Sequence, residues 1–259
     1  SLARILDVEN KARQAYEKEV TREAVRKVER TVNFNRERVL VVEGRGWHVG
    51  VIGIVASRLV EKFYRPSIVI ALNEKEGRGS GRSIKGFHLF EALRSVEDLL
   101  EEFGGHEQAA GLSVREDNIP ELRERINRFA IEHLPAEALR RTVTVDLELS
   151  LKELTGPFLK QLELLEPYGV GNPRPVFQSG GLRIKSKARH LYGETYETVL
   201  ADGAAHFQAH LDEKQALLCA GAGAGTFFEA AYSVKTKRWN GLETLLLSVK
   251  ELKARTENV

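Results

Sequence analysis

Hydrophobic positions recur every three to four residues from Leu2 to about Glu29, and charged residues fill most of the positions between them. Neither proline nor glycine interrupts this segment, so the pattern predicts one long amphipathic helix. Its apolar stripe is too irregular for the heptad seam of a coiled coil. We therefore interpret residues 1–37 as a connector helix whose apolar side packs on another domain.

The pattern changes at Arg38, where short apolar runs begin to alternate with helical periodicity. Strands are predicted at 39–42, 67–72, 79–84 and 111–114, and helices at 51–63, 88–102 and 121–134. Alternating strands and helices with short connections predict an α/β domain over residues 38–134, with a mixed sheet and packed helices.

Beyond Pro135 the hydrophobic period becomes two, most cleanly from Thr142 to Leu149. Further strands are predicted at 176–190, 194–201, 204–210, 226–236 and 242–251, with one helix at 155–164. Five or six strands and a single helix favour a small all-β, OB-like barrel over residues 135–259.

The composition is that of a soluble globular protein: of the 259 residues, 42% are hydrophobic and 29% are charged. No apolar run approaches the roughly 18 residues of a membrane helix, so we expect no membrane partner. Cys219 is the single cysteine, which excludes an internal disulfide and makes the cytoplasm the expected compartment. The chain opens Ser-Leu-Ala and contains no methionine, which suggests a fragment or a processed product.

A net charge of +2 is too small for overall charge to attract nucleic acid to the protein. Nucleic-acid binding would therefore require local clusters of basic residues. Alternating basic residues, which would project from one face of a strand, are Arg183, Lys185, Lys187 and Arg189, followed by Lys235 and Lys237. Aromatic residues available for stacking are Tyr192, Tyr196, Phe207, Tyr232 and Trp239. Basic strands interleaved with aromatics suit a single-strand groove, and the alternative is a solvated outer face.

Three glycine-rich segments carry candidate phosphate chemistry: Trp47–Leu59, Gly79–Ser83 and Phe103–Gly111. Glycines let the backbone approach a ligand without interference from Cβ. The first segment contains His48, a candidate contact with substrate, next to Trp47, which is an equally good core residue.

Within the other two segments, particular side chains suit an anion. Gly104-Gly105-His106 can offer main-chain N–H groups and an imidazole. Ser80 and Arg82 lie two residues apart in a predicted strand, so both would project from one face, and the planar guanidinium matches phosphate.

In this order and spacing, the three segments resemble the DHH-associated domain of the RecJ single-strand-specific exonucleases. The resemblance covers residues 38–134 and continues more weakly beyond them. It implies that His106 is catalytic and contacts the scissile phosphate, with Gly104 and Gly105 forming its loop. It also implies that Ser80 and Arg82 read the DNA strand and its 5′ end.

RecJ-type hydrolysis uses two divalent ions held by aspartates and histidines of a DHH domain, and no Asp-His-His sequence occurs in this chain. We therefore expect that the chain itself binds no metal or cofactor and is inactive alone. The resemblance implies Mn or Mg in the complete enzyme, held by a missing amino-terminal DHH domain.

The leading hypothesis is the substrate-binding region of a RecJ-like 5′→3′ single-stranded-DNA exonuclease in DNA repair and recombination. Its expected partners are single-stranded DNA and the missing DHH domain, with single-strand-binding protein as a further candidate. The alternative is a non-catalytic single-strand-binding or replisome adaptor protein related to RecJ. A third hypothesis is a relative that acts on very short RNA or on nucleotides; the basic strands of the barrel argue against it, because so small a substrate needs no long groove.

Overall fold

The structure is a computed structural model that describes residues 2–223, 225–239 and 242–256, with the backbone alone for residues 237–239, 242–243 and 256. The chain divides into two compact units, residues 1–141 and 142–259. The first unit contains the long amino-terminal helix together with an α/β sheet, and the second contains the barrel.

The predicted amino-terminal helix is confirmed as α1, Leu2–Thr31. Only its second half is packed: Val20, Ala24 and Val28 are buried, whereas the side chains of residues 2–15 are exposed. The three buried residues recur every four positions and meet the core on one side of the sheet.

The sheet of the first unit has the strand order β1-β2-β3-β5-β4, in which only the β1–β2 pair is parallel. The predicted mixed α/β sheet is therefore confirmed. Its elements are β1 Leu40–Arg45, α2 Val49–Phe63, β2 Ser67–Asn73, β3 Glu76–Arg82, α3 Leu89–Arg94, β4 Leu100–Gly105, β5 Ala109–Arg115 and α4 Ile119–His133.

Helices cover both faces of this sheet, which explains the continuous apolar run of β2. Ile68 and Ile70 pack toward α3 and α4, whereas Val69 and Ala71 pack toward α1 and α2. Successive residues of a strand point to opposite faces, so a strand buried on both sides is apolar throughout.

The predicted helix at 88–102 is wrong beyond Arg94. After a 3-10 turn at Glu97–Leu99, the chain enters strand β4. A bulge between Leu100 and Glu102 lets Leu100 and Phe103 both pack on the core. Leu100 also stands four residues after Val96, so it continues the helical spacing of α3 although its backbone is paired with β5.

Strand β3 is rich in glycine because its core face has no room for side chains. A Cβ at Gly77 would lie 2.6 Å from Ile70, one at Gly79 would lie 2.8 Å from Leu112, and one at Gly81 would lie 2.7 Å from Leu89. Neighbouring side chains fill this space, so the intervening polar residues of β3 all point to the opposite face, toward α2.

The second unit is a closed five-stranded barrel in the order β7-β11-β12-β10-β9, with β7 pairing back to β9, and the predicted OB-like barrel is confirmed. Short strands β6 and β8 add to β7 and β9. The elements are β6 Leu147–Glu148, α5 Gly156–Glu163, β7 Phe177–Ile184, β8 Arg189–Tyr192, β9 Thr195–Asp202, β10 Ala205–Leu211, α6 Glu213–Ala220, β11 Thr226–Trp239 and β12 Leu242–Thr256.

Tyr232 and Ser179 form a hydrogen-bonded polar pair inside the barrel core. The Tyr232 hydroxyl is buried and lies 2.7 Å from Ser179 Oγ, which donates in turn to the carbonyl of Leu149. Burial raises the pKa of Tyr232 to about 12, so the phenol stays neutral in the folded protein.

Three predictions in this unit are corrected. The strand at 142–149 is reduced to β6, and the predicted strand at 176–190 is broken into β7 and β8 by the connection 185–188. Helix α6 was not predicted, because Leu217 and Leu218 lie on its exposed side and blur its periodicity. Its sequence signal is the capping box formed by Asp212 and Gln215.

Candidate nucleic-acid interface

Ser80 and Arg82 lie side by side on the face of β3 that α2 contacts. The Arg82 guanidinium donates hydrogen bonds to Ser80 Oγ at 3.2 Å and to the carbonyl of Gly81 at 2.8 Å. An added Cβ at Gly53 of α2 would lie 3.1 Å from both Ser80 Oγ and Arg82 Nη2. The glycine therefore lets the helix approach the strand just where these two side chains lie half-buried.

Beyond α2, the row of the sheet that begins at Ser80 carries no side chains on β5 and β4. Ser80 pairs with Gly111 of β5, and Gly111 pairs with Gly104 of β4, so the three residues form one row across three strands. A Cβ at Gly104 would meet no described atom within 4 Å, and one at Gly111 would meet only the carbonyl oxygen of Gly79, at 3.9 Å. Packing does not require these glycines, and their backbone is open to a ligand.

We name this surface the open sheet face, defined by Arg78, Ser80 and Arg82 of β3 with Gly111 and Gly104. Sequence reasoning missed Arg78, whereas Gly111 belongs to the glycine-rich segment Phe103–Gly111 that it singled out. The signal for Arg78 was its spacing, since it stands two residues before Ser80 in the same strand. Arg78 is exposed, and alternate side chains of a strand lie roughly 7 Å apart.

His106 lies in the hairpin between β4 and β5, next to the pair formed by Arg82 and Ala109. Its N–H donates to the carbonyl of Ala109 at 2.8 Å, and its imidazole is exposed. Two further backbone bonds hold the hairpin, from Ser83 N–H to Gln108 and from Leu89 N–H to Glu107. These three backbone hydrogen bonds hold the hairpin in place.

Gly105 serves the hairpin in a different way from Gly104. Its φ of +145° is a conformation that side chains rarely adopt. An added Cβ would also lie 2.4 Å from the carbonyl oxygen of Ala109. Gly105 is therefore required by the turn itself.

His48 caps the amino terminus of α2. Its Nδ1 accepts a hydrogen bond from Gly50 N–H at 3.0 Å, which assigns the ring proton of the neutral imidazole to Nε2. With Tyr16 and Arg78, His48 lines a cavity of about 730 Å³ next to the open sheet face. Trp47 is buried, and its Nε1 donates to Glu23 at 3.0 Å, so it is a core residue.

The four basic residues predicted on one barrel strand are separated by the structure. Arg183 belongs to β7, whereas Lys185 and Lys187 lie in the connection 185–188, and all three are exposed. Arg189 lies in β8 and pairs with the buried carboxylate of Glu197 at 2.6 Å. The prediction of a straight row of four cations is therefore wrong, because the strand ends at Ile184 and the connection changes direction.

Arg183, Lys185 and Lys187 nevertheless border one cavity of about 570 Å³, which also meets the end of α6. The described residues that line it include no aspartate or glutamate. The Arg183 guanidinium lies 4.3 Å from the centre of the Phe227 ring, a cation–π contact that sequence reasoning missed.

The other predicted barrel residues differ in their surroundings. Lys235 is exposed on β11, whereas the side chains of Lys237 and Trp239 lie outside the described residues. Tyr232 is fully buried, so its predicted stacking role is wrong. Tyr192 remains exposed at the edge of the barrel.

The described residues do not fit a Mn or Mg site. Across residues 2–223, 225–239 and 242–256, no three His, Cys, Asp or Glu side chains form a group that could hold a metal ion. Over the same residues, no helix is both long and apolar enough to cross a membrane.

Comparison with known proteins identifies both units. A family model of the DHHA1 domain matches residues 36–132, and a model of the RecJ OB domain matches residues 145–251. The chain is 40% identical over 176 residues to the single-stranded-DNA-specific exonuclease RecJ of Bacillus subtilis, which covers 67% of this chain and 22% of that protein. The Escherichia coli RecJ is 34% identical over 211 residues, covering 78% and 36%.

Solved structures agree with this result. RecJ from Thermus thermophilus in complex with Mn²⁺ matches 94% of this chain and 34% of its own length, with a TM-score of 0.77 and 29% identity. The same protein in complex with Mg²⁺ gives a TM-score of 0.74. The chain thus spans between about a fifth and just over a third of the length of these relatives.

Proposed function

Because the chain carries the DHHA1 and OB domains of the RecJ family, we propose that it is the single-stranded-DNA-binding region of a 5′→3′ exonuclease that acts in DNA repair and recombination. The observation that carries the proposal is the open sheet face. There, the half-buried side chains of Arg82 and Ser80 border Gly104 and Gly111. Packing leaves room for a side chain at both glycines.

On this face the chemistry of each group suits a phosphodiester backbone. Arg82 offers a planar fork to phosphate oxygens, and Ser80 Oγ both accepts from that guanidinium and can donate to the ligand. The bare backbone at Gly104 and Gly111 lets a strand lie close to the sheet. His106, fixed by its hairpin, would stabilise charge on the phosphoryl oxygens.

The barrel would contact the phosphates of a single strand through Arg183, Lys185, Lys187 and Lys235, all of which are exposed. In the relatives of known structure the metal is Mn²⁺ or Mg²⁺, which would activate water for attack on phosphorus. The described residues offer no site for such an ion, so the proposed role of this chain is to bind and orient the strand.

The test is the affinity of this chain for fluorescent oligonucleotides that carry a 5′-phosphate or a 5′-hydroxyl. We expect Arg82→Ala to weaken binding by about tenfold, with the larger loss for the phosphorylated strand. Arg128→Ala is the matched control, because Arg128 is an exposed arginine of α4 and pairs with Glu124. Equal losses for both ends, or for both variants, would contradict 5′-end recognition.

A non-catalytic single-strand-binding or replisome adaptor protein related to RecJ is the second candidate, because the exposed cations of the barrel would serve strand binding equally well without catalysis. The two candidates differ in the behaviour of the complete protein with Mn²⁺. Release of nucleotides from a single strand would support the exonuclease, whereas binding without release would support the adaptor.

A further inference from the structure

The barrel cavity bordered by the connection 185–188 has an apolar floor and a cationic rim. Ile184, Cys219 and Phe228 line it from the core side, where Cys219 and Phe228 are buried. Arg183, Lys185 and Lys187 line it from the solvent side and are exposed. Sequence reasoning singled out these three cations but not the cavity between them and α6.

The floor is electrically neutral. Burial raises the pKa of the Cys219 thiol to about 11, so the thiol stays protonated at physiological pH. The described lining contains no carboxylate that could repel a phosphate. A volume of about 570 Å³ lies within the range of ordinary ligand pockets.

One wall of the cavity is braced by a cross-strand row. Arg183 of β7 lies over the ring of Phe227 of β11, and Phe227 is paired with Arg255 of β12. Arg255 is anchored in turn to Glu229 at 3.2 Å. The aromatic contact holds the Arg183 guanidinium at the cavity edge.

We propose that this cavity is a base-binding subsite, which takes one unstacked base of a single-stranded nucleic acid while Arg183, Lys185 and Lys187 contact the adjoining phosphates. An apolar pocket for the base and cations for the backbone are the two elements by which proteins hold single strands. Three rim cations suit successive phosphates better than one phosphate. The inference rests on the proposed single-strand binding and adds the place where a base is held.

Occupancy of the cavity can be measured through Cys219. Because it is the single cysteine of the sequence, any thiol modification reports on this residue alone. The rate of its reaction with a small disulfide reagent is measured for the free chain and with oligothymidylate, an abasic strand of equal length, or thymidine monophosphate. Binding of each strand is followed by anisotropy in the same samples. We expect oligothymidylate to slow the reaction by about tenfold and the abasic strand to bind without protecting the thiol.

Each other outcome has a definite meaning. Oligothymidylate that binds without protecting Cys219 would overturn the base subsite and leave the proposed function intact. No binding of any strand would overturn the proposed function and this inference with it. Equal protection by thymidine monophosphate at equal nucleotide concentration would assign the cavity to free nucleotides and overturn the single-strand assignment.

A pair of variants tests the same point without the thiol. Ala220 is exposed and lines the cavity, whereas Leu217 is exposed on the same helix but does not line it. We expect Ala220→Phe to weaken binding of oligothymidylate several-fold and leave the abasic strand unchanged, and Leu217→Phe to alter neither. Equal behaviour of the two variants would overturn the subsite.

Discussion

Gly53 of α2 lies directly over Arg82 of β3, so that a methyl group at Gly53 would stand 3.1 Å from the guanidinium Nη2. This close approach holds Arg82 half-buried between the helix and the open sheet face. A glycine inside a helix is a local disadvantage of about 1 kcal/mol relative to alanine. We infer that glycine is tolerated at position 53 because the space it leaves for Arg82 favours ligand binding, and that this gain outweighs the loss of helix stability.

The first prediction separates stability from binding at this position. Gly53→Ala should leave the stability of the fold unchanged or raise it by up to about 1 kcal/mol, because alanine is the better helix former. It should also weaken single-strand binding, because the new methyl group displaces Arg82. Thermal unfolding and oligonucleotide anisotropy check the two effects, and in an Arg82→Ala background the effect of Gly53→Ala on affinity should vanish.

The second prediction contrasts two adjacent glycines. Gly105→Ala should destabilise the first unit by more than about 1 kcal/mol, because its φ is positive and the new Cβ would meet Ala109. Gly104→Ala should leave the unfolding midpoint nearly unchanged and weaken single-strand binding, because the methyl group would stand on the open sheet face. Equal unfolding midpoints for the two variants in urea would show that the hairpin does not need Gly105.

The third prediction concerns His106 in the complete enzyme. His106→Ala should lower turnover by on the order of 10²–10³, the usual loss for one transition-state donor, with a much smaller change in DNA affinity. His88→Ala is the matched control, since His88 is also exposed but caps α3. Parallel losses of rate and affinity would make His106 an ordinary binding residue.

The fourth prediction uses salt to count the phosphates that the barrel neutralises. Lys185→Ala with Lys187→Ala should flatten the salt slope of single-strand binding by up to about 1.4, or about 0.7 for each phosphate that is no longer neutralised. The stability of the barrel should change by less than about 0.5 kcal/mol, because both side chains are exposed.

Arg189→Ala is the contrasting variant for this experiment. Its partner Glu197 is buried, so loss of Arg189 should lower stability more than it changes the salt slope. A salt titration of oligonucleotide binding, paired with urea unfolding, measures both quantities. Identical slopes for the wild type and the double lysine variant would mean that the rim faces bulk water.

The fifth prediction concerns alkaline pH. The folded-state pKa of Tyr232 is raised to about 12 from an ordinary value near 10. The stability that the neutral phenol contributes is therefore complete below pH 10 and is lost as the pH rises through 12. Urea unfolding of the barrel across this window should show a smaller loss for Tyr232→Phe than for the wild type.

Cys219 provides the control for that window. Burial raises its pKa to about 11 from 9.0, so its contribution begins to fall at a lower pH than that of Tyr232. Comparison of Cys219→Ala with Tyr232→Phe should resolve two separate steps. Superimposable profiles for all three proteins would contradict the assignment of either group.

Local patterns were sufficient where burial repeats regularly along one element. The periodicity of α1 and the apolar run of β2 predicted both elements, because burial of every fourth residue marks a helix packed on one side and an unbroken apolar run marks a strand buried on both faces. The same reasoning failed at Leu100, which continues the helical spacing of the preceding residues although it belongs to strand β4. It failed again at the connection 185–188, because alternation of charge continues past the point where strand pairing ends.

By itself, the sequence determined the two fold classes, the three glycine-rich motifs and the identity of the candidate side chains, since these depend on residue type and short-range spacing. Only the tertiary structure distinguished glycines that packing demands, such as Gly105, from those that it leaves open, such as Gly104. It alone placed Gly53 against Arg82, and it alone enclosed a cavity between Lys185 and Cys219. The physical reason is that such contacts join segments far apart in the chain, and local propensity carries no information about which segments meet.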